Sequence, residues 1–255
     1  LFAAIFFLVF AIPSIIGLKD RPPSQFPDEE GVSIVTIGFR RVRKTFRKIN
    51  DYEGLPRFLA SYFLFSDAIS TVIYYAAIFG AAVYGFSEEL IMVFFAVTQL
   101  AAIPGAFVFG YIAHSIGTKK TLMITLGIWV IALLIAFFGQ TQIIWWTVGM
   151  IAGIGMGSSQ STARSMYGQF IPEEKRTEMF GIYALSGKFA AIIGPFVYAT
   201  VLALVAGLGA PMAHRFAMLS ILSVFVIALL ILVKVRQPVM GEAEVHLEDD
   251  IRPGM

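Results

Sequence analysis

The chain reads as an all-α membrane protein. Of its 255 residues 58% are hydrophobic and only 14% charged, against roughly 25% charged in soluble domains. Mean hydropathy is +0.79. The apolar residues gather into seven runs separated by polar or glycine-containing connections, each about as long as, or longer than, the ~20 residues a helix needs to cross a bilayer.

In order the runs are Leu1–Leu18, Pro56–Val83, Glu88–Ala113, Lys120–Gly139, Ile143–Arg164, Thr177–Ala206 and Ala213–Lys234. The chain opens inside the first run, with no basic stretch, initiator Met or cleavage site before it, so residues 1–18 are expected to be a truncated transmembrane helix rather than a signal peptide. The whole is then expected to be the C-terminal part of a longer protein. Residues 19–55 form a polar linker, 56–234 a unit of six transmembrane helices, and 235–255 an acidic tail.

Charge placement orients these spans. Seventeen of the 19 lysines and arginines fall in the linker, at Arg57, in the Lys119/Lys120 loop, between Arg164 and Arg176, and in the tail. Positive residues stay on the cytoplasmic side, so the linker, that loop and the C-terminus are expected in the cytoplasm. The outer turns are Tyr84–Ser87, Gln140–Gln142 and Gly207–Met212, with Trp145 and Trp146 expected at the outer interface. In the linker Val35, Phe39, Val42, Phe46 and Ile49 recur at helical spacing among arginines and lysines. This predicts a basic amphipathic helix lying on an anionic lipid bilayer rather than one that binds nucleic acid. The acidic run Glu242–Asp250 is expected to be disordered. With no cysteine, disulfides and thiolate metal sites are excluded.

Two of the apolar runs carry a full charge near mid-length, Asp67 and Lys188. Each lies eleven residues beyond the expected helix start, Pro56 or Thr177, hence about 16 Å deep in a ~30 Å hydrocarbon core. Charges at that depth are costly and mark solute or proton paths. Asp67, Ser70, Thr71 and Tyr74 stand at i, i+3, i+4 and i+7, a polar stripe expected to face a cavity. Gln99 is at a similar depth in its own run, just before Pro104, which is expected to kink it. Asp67 and Lys188 could form a static ion pair between helices or exchange protons and solute charge, and the sequence leaves both open. Gly149, Gly153 and Gly157 place a small residue at every fourth position, which predicts close helix packing.

Between the third and fourth runs stands Gly110-Tyr-Ile-Ala-His114-Ser115-Ile-Gly117-Thr-Lys119-Lys120. It resembles the Gly-x-x-x-Asp-Arg-x-Gly-x-Lys/Arg-Lys/Arg loop of the major facilitator superfamily, with His114 and Ser115 where that family has Asp and Arg. Three further stretches narrow the resemblance: Tyr62 to Ile73 around Asp67, Gly157 to Ser165, and Phe180 to Pro195 with its Ser186-Gly187-Lys188-Phe-Ala-Ala core. Together they look like the second half of the "unknown major facilitator" family, which is similar to the yeast vacuolar amino-acid effluxer. The resemblance implies a major facilitator fold, of which this chain is the C-terminal six-helix half plus the end of the preceding helix. It also implies the N-terminal half of the same carrier as a partner, and a vacuolar membrane in a eukaryote or the cell membrane in a prokaryote. The function it implies is secondary transport of a small solute by alternating access, with neutral amino acids as the expected solute; charge compensation or coupling to protons is the task expected of Asp67 and Lys188.

Rival classes meet obstacles in the same residues. The glycines of Gly153-Ile-Gly155-Met-Gly157-Ser158 lie inside a membrane helix with no preceding strand, which excludes a phosphate-binding loop. His114, His214 and His246 all fall in loops, at boundaries or in the tail, where none can serve a membrane-depth nucleophile or metal. No catalytic, cofactor-binding or metal-binding residue is therefore assigned, and an enzyme is not expected. The alternative to a carrier is a non-transporting membrane scaffold that binds lipid or protein partners through its basic linker.

Overall fold

The computed structural model describes residues 2–17, 49, 52–171 and 175–236. The acidic tail and all of the expected linker helix except Ile49 lie outside them. Among the described residues there are helices and no strand: α1 (Phe2–Gly17), α2 (Leu55–Tyr84), α3 (Glu88–Ile116), α4 (Thr118–Phe138), α5 (Gln142–Gly168), α6 (Arg176–Phe189), α7 (Ile193–Leu204) and α8 (Ala210–Val233), with a 3₁₀ turn at Ala206–Leu208 before α8. The chain divides into two units, Leu1–Arg40 and Arg41–Met255. The first contains α1, an apolar helix with Pro13 inside it and exposed aliphatic and aromatic side chains from Ile5 to Phe10.

In the second unit five stretches are long and apolar enough to cross a membrane: α2, α3, α4, Met179–Leu204 across α6 and α7, and α8. The chain is thus an all-α, multi-pass integral membrane protein. Its local signals explain where the helices stop and start. Pro56 in the first turn of α2 loses no hydrogen bond there, and Gly85, at φ +67°, ends the helix in the left-handed region. The Gly85 N–H then donates to Ala81 O and the Phe86 N–H to Gly80 O, which satisfies two end carbonyls. Ser87 Oγ accepts from the Leu90 N–H at the start of α3, where Glu88 and Glu89 complement the helix dipole. Thr141 caps α5 in the same way. Pro104 lies within α3, which continues as one helix to Ile116.

α3 packs along α5, α2 along α8, and α4 between α5 and α8, while α2 also touches α6 and α7. The core between them is largely aromatic, with Phe58, Phe65, Phe79, Trp129, Tyr167, Tyr198 and Phe225 fully buried. Helices α4 and α8 run antiparallel, and each supplies a cation to the other's C-terminus. Lys119 Nζ donates to Val233 O (2.8 Å) and Val235 O (2.6 Å) at the end of α8. Arg215, near the start of α8, donates from Nη1 to Ala136 O (3.0 Å) and Phe137 O (2.6 Å) at the end of α4. Both cations sit where the orphan carbonyls and negative dipole end of a helix favour them.

Two features depart from the sequence reading. The run Thr177–Ala206 is two helices, interrupted at Ala190–Ile192. Pro195 explains the interruption, because a proline ring clashes with the carbonyl four residues earlier, at Ala191, and offers no N–H to the helix ladder. Trp145, expected at the lipid interface, is only 3% exposed. It stacks on Phe94 (5.0 Å) and Tyr84 (5.5 Å) and packs against Phe79 (4.9 Å), closing the outer end of the bundle as core. Trp146 is partly buried against Phe86 and Phe94.

Candidate functional site

The break between α6 and α7 is where Asp67 is found. Asp67 lies mid-way along α2 with no exposed surface. Its Oδ1 accepts the N–H of Ile192 at 2.9 Å and its Oδ2 the N–H of Gly194 at 2.5 Å. The first N–H groups of any helix lack intrahelical partners and carry the positive end of its dipole. An ionised carboxylate answers both needs, and such charge-assisted bonds are about twice as strong as neutral ones. Thr71, one turn further along α2, donates its hydroxyl back to the Asp67 carbonyl at 2.7 Å. Gly194 is required by this approach: a Cβ there would collide with the Thr71 hydroxyl and lie 2.9 Å from Asp67 Oδ2.

Aromatic stacks tie each half of the broken helix to α2. On the α6 side Tyr62 stacks on Tyr183 at 4.1 Å, Tyr183 packs on Tyr167 at 4.7 Å, and the Tyr167 hydroxyl donates to Met179 O at 2.6 Å. Gly187 admits the Tyr62 hydroxyl, which a Cβ would meet at 2.6 Å. On the α7 side Tyr75 stacks on Tyr198 at 3.8 Å, and the Tyr198 hydroxyl shares a 2.8 Å hydrogen bond with His214 Nδ1 of α8. One helix, α2, therefore holds α6 by one stack, α7 by another, and the break between them by one carboxylate.

The other sequence-predicted residues take varied places. Lys188 is in the last turn of α6 and exposed, where the negative end of the helix dipole favours an ammonium. Among the described residues no ion pair joins it to Asp67, whose oxygens are taken by the backbone N–H groups that the break frees. The polar stripe is divided: Asp67 and Thr71 are buried, Ser70 is half-buried, and Tyr74 is 79% exposed. Gln99, exposed on α3, borders a cavity of about 70 Å³ shared by α2, α3, α4 and α5. Its other walls include Val72, Ile73, Phe94, Thr98, Trp129 and Trp145, and it contains none of the other five candidates.

Gly149, Gly153 and Gly157 all face α3. A Cβ at Gly149 would meet the Phe94 ring at 2.5 Å, while at Gly153 and Gly157 it would run into the backbone carbonyls of Thr98 and Ala102. Gly105 answers from α3, with Ile154 O 2.6 Å from where its Cβ would be. In the loop motif Gly117 takes φ +90° between α3 and α4 and Lys119 caps α8, while Gly110, His114 and Lys120 are exposed. Among the described residues no three His, Asp or Glu side chains converge on a metal-sized site. Sequence reasoning missed two elements, the helix break and the buried Arg215. Gly194-Pro195 inside an apolar run was the available signal for the first. For the second there was only a lone cation at the outer end of a span.

Comparison with known proteins adds to this geometry. Residues 1–241 match the family model described as "Vacuole effluxer Atg22 like". The chain is 30% identical over 191 residues to the uncharacterized MFS-type transporter YxiO of Bacillus subtilis, covering 75% of this chain and 44% of that protein. It is 24% identical over 215 residues to autophagy-related protein 22 of Coccidioides immitis, covering 76% and 36% respectively. To autophagy-related protein 22 of Gibberella zeae it is 21% identical over 219 residues, covering 78% and 33%. The chain spans less than half the length of these curated relatives.

Proposed function

The chain belongs to the Atg22-like vacuole effluxer family, and on that premise we propose that it forms the C-terminal six-helix half of a secondary transporter that moves a small solute by alternating access. The observation that carries this reading is the buried carboxylate of Asp67 bonded to the backbone of a helix break. Carriers hold solutes and coupling ions where membrane helices are discontinuous, since free backbone groups at a break can meet charge without water. A static bundle has no use for such a feature, and an unbroken helix would satisfy its own backbone at lower cost.

Neutral amino acids are the proposed solute. Lys188, exposed on the surface of this half, would meet the carboxylate, and Ser70, Tyr74 and Gln99 would offer polar contacts beside apolar walls. Thr71 donates its hydroxyl to the Asp67 backbone carbonyl, so toward a solute it would act as an acceptor. Asp67 would carry the coupling proton. The remaining partners are the N-terminal half of the same carrier and the lipid bilayer.

The test is flux of radiolabelled leucine and tyrosine through the complete carrier in proteoliposomes, with and without a pH gradient. Saturable movement that is lost in Lys188→Gln supports the reading. Transport of a sugar or cation but of no neutral amino acid would overturn the solute assignment alone. Unimpaired function in Asp67→Asn and Lys188→Ala would sink the transport site and favour a scaffold. Orientation is checked separately: cysteines placed at Gly85 or Gln140 should react from outside and one at Lys120 from the cytoplasm, in a chain that has no cysteine of its own.

A further inference from the structure

We infer that Asp67 is a proton-operated latch on the interrupted helix: ionised, it holds the α6–α7 break in the interrupted form described above, and protonated, it releases the first turn of α7. The inference rests on the carrier reading and gives Asp67 a mechanical task within it. Both carboxylate oxygens accept from backbone N–H groups, at Ile192 and at Gly194. A proton on either oxygen removes the charge that strengthens both bonds and leaves the protonated oxygen a poorer acceptor, so both bonds weaken and the one to that oxygen weakens most. The stacks Tyr62–Tyr183 and Tyr75–Tyr198 hold α6 and α7 on opposite sides of the break through ring contacts that do not involve the Asp67 carboxylate. Protonation therefore frees the hinge at Ala190–Ile192 while both arms stay attached, which is what a local two-position element requires.

The surroundings leave the proton as the controlling charge. The ionisable groups on the helices packed against α2 near this region are Arg164 and Tyr167 on α5, Tyr183 and Lys188 on α6, Tyr198 on α7, and His214 and Arg215 on α8. Among the described residues none of them hydrogen-bonds or ion-pairs with Asp67. Tyr167 and Tyr198 are bonded elsewhere, Arg215 is bound to the end of α4, and Arg164 and Lys188 are exposed. Ile192, one of the two donors, is itself 63% exposed, so the segment it anchors has room to move.

The experiment is hydrogen–deuterium exchange of the peptide spanning residues 189–197 in the complete, purified carrier, across a range of pH and corrected for intrinsic exchange. In the unmodified protein the Ile192 and Gly194 amides should lose at least about tenfold in protection as pH falls, the scale of one lost charge-assisted bond. In Asp67→Asn, which copies the protonated acid in shape and bonding, protection should be low and independent of pH. Asp67→Glu should restore the pH dependence. Protection in the unmodified protein that does not vary with pH would make Asp67 a fixed cap and overturn the latch, as would a protected segment in Asp67→Asn. Absence of solute flux in the unmodified protein would instead count against the carrier reading, and the exchange measurement would still decide the latch.

Discussion

Where α3 meets α5, glycines at 149, 153 and 157 bring backbone against backbone. Where α2 meets the interrupted α6–α7, contact is made by ring stacks and one carboxylate. The first interface is apolar and continuous along the helices, so its stability comes from van der Waals packing that nothing in solution can switch. The second concentrates its polarity on two hydrogen bonds to a single titratable group. A carrier that alternates between two states needs both kinds, a part that keeps its shape and a part with two arrangements. The reciprocal Lys119 and Arg215 clamps place α4 and α8 with the rigid part.

Adding bulk to the glycine row should have the largest effect. Gly153→Val or Gly157→Val would drive a side chain into the carbonyl of Thr98 or Ala102. Overpacking costs about 1–3 kcal/mol even where side chains can yield, and backbone cannot yield as far. The expected outcome is loss of monodisperse protein in fluorescence-detected size-exclusion chromatography. A normal profile would show that α3 and α5 can separate, and the contrast between the interfaces would fail.

Asp67→Ala should come next. It strands the N–H groups of Ile192 and Gly194 and costs roughly 2–5 kcal/mol locally. The aromatic stacks remain, so the protein should stay folded while solute flux is abolished. If its thermal unfolding falls as far as that of Gly153→Val, the carboxylate belongs to the rigid framework and not to a movable joint.

The clamps sharpen the comparison from the other side. Lys119→Met and Arg215→Met should each lower stability by about 1–3 kcal/mol, through carbonyls left without a donor. They stand at opposite ends of α4, roughly 30 Å apart, so their effects should add. Thermal melts of the single and double variants decide it, and strong non-additivity would mean that the two clamps are energetically coupled through α4 and α8.

The smallest effect is expected at the exposed Arg236–Glu53 pair, 2.7 Å apart with side chains 78% and 74% exposed. Arg236→Ala should change stability by less than ~1 kcal/mol and leave flux intact. A larger loss would show that the junction between α2 and the end of α8, where Gly54 admits the Arg236 carbonyl, is held by charge.

The sequence by itself determined the membrane class and most helix ends, because hydropathy and capping are local properties of a chain in a bilayer. Pro56, Ser87 and Thr141 lie at helix starts for reasons their neighbours in sequence already contain. The glycine row was legible too, since spacing alone puts 149, 153 and 157 on one face of α5. Equal depth, in contrast, suggested a partnership between Asp67 and Lys188 that tertiary structure did not form. Pro195 opened the helix and freed backbone N–H groups, and these reached the carboxylate while Lys188 stayed at the exposed end of α6. Trp145 and Arg215 were decided in the same way, one drawn into an aromatic core and the other onto the end of α4. What a buried polar group bonds to depends on which unsatisfied partner the packing brings within about 3 Å, and that distance is a property of the assembled bundle, not of spacing along the chain.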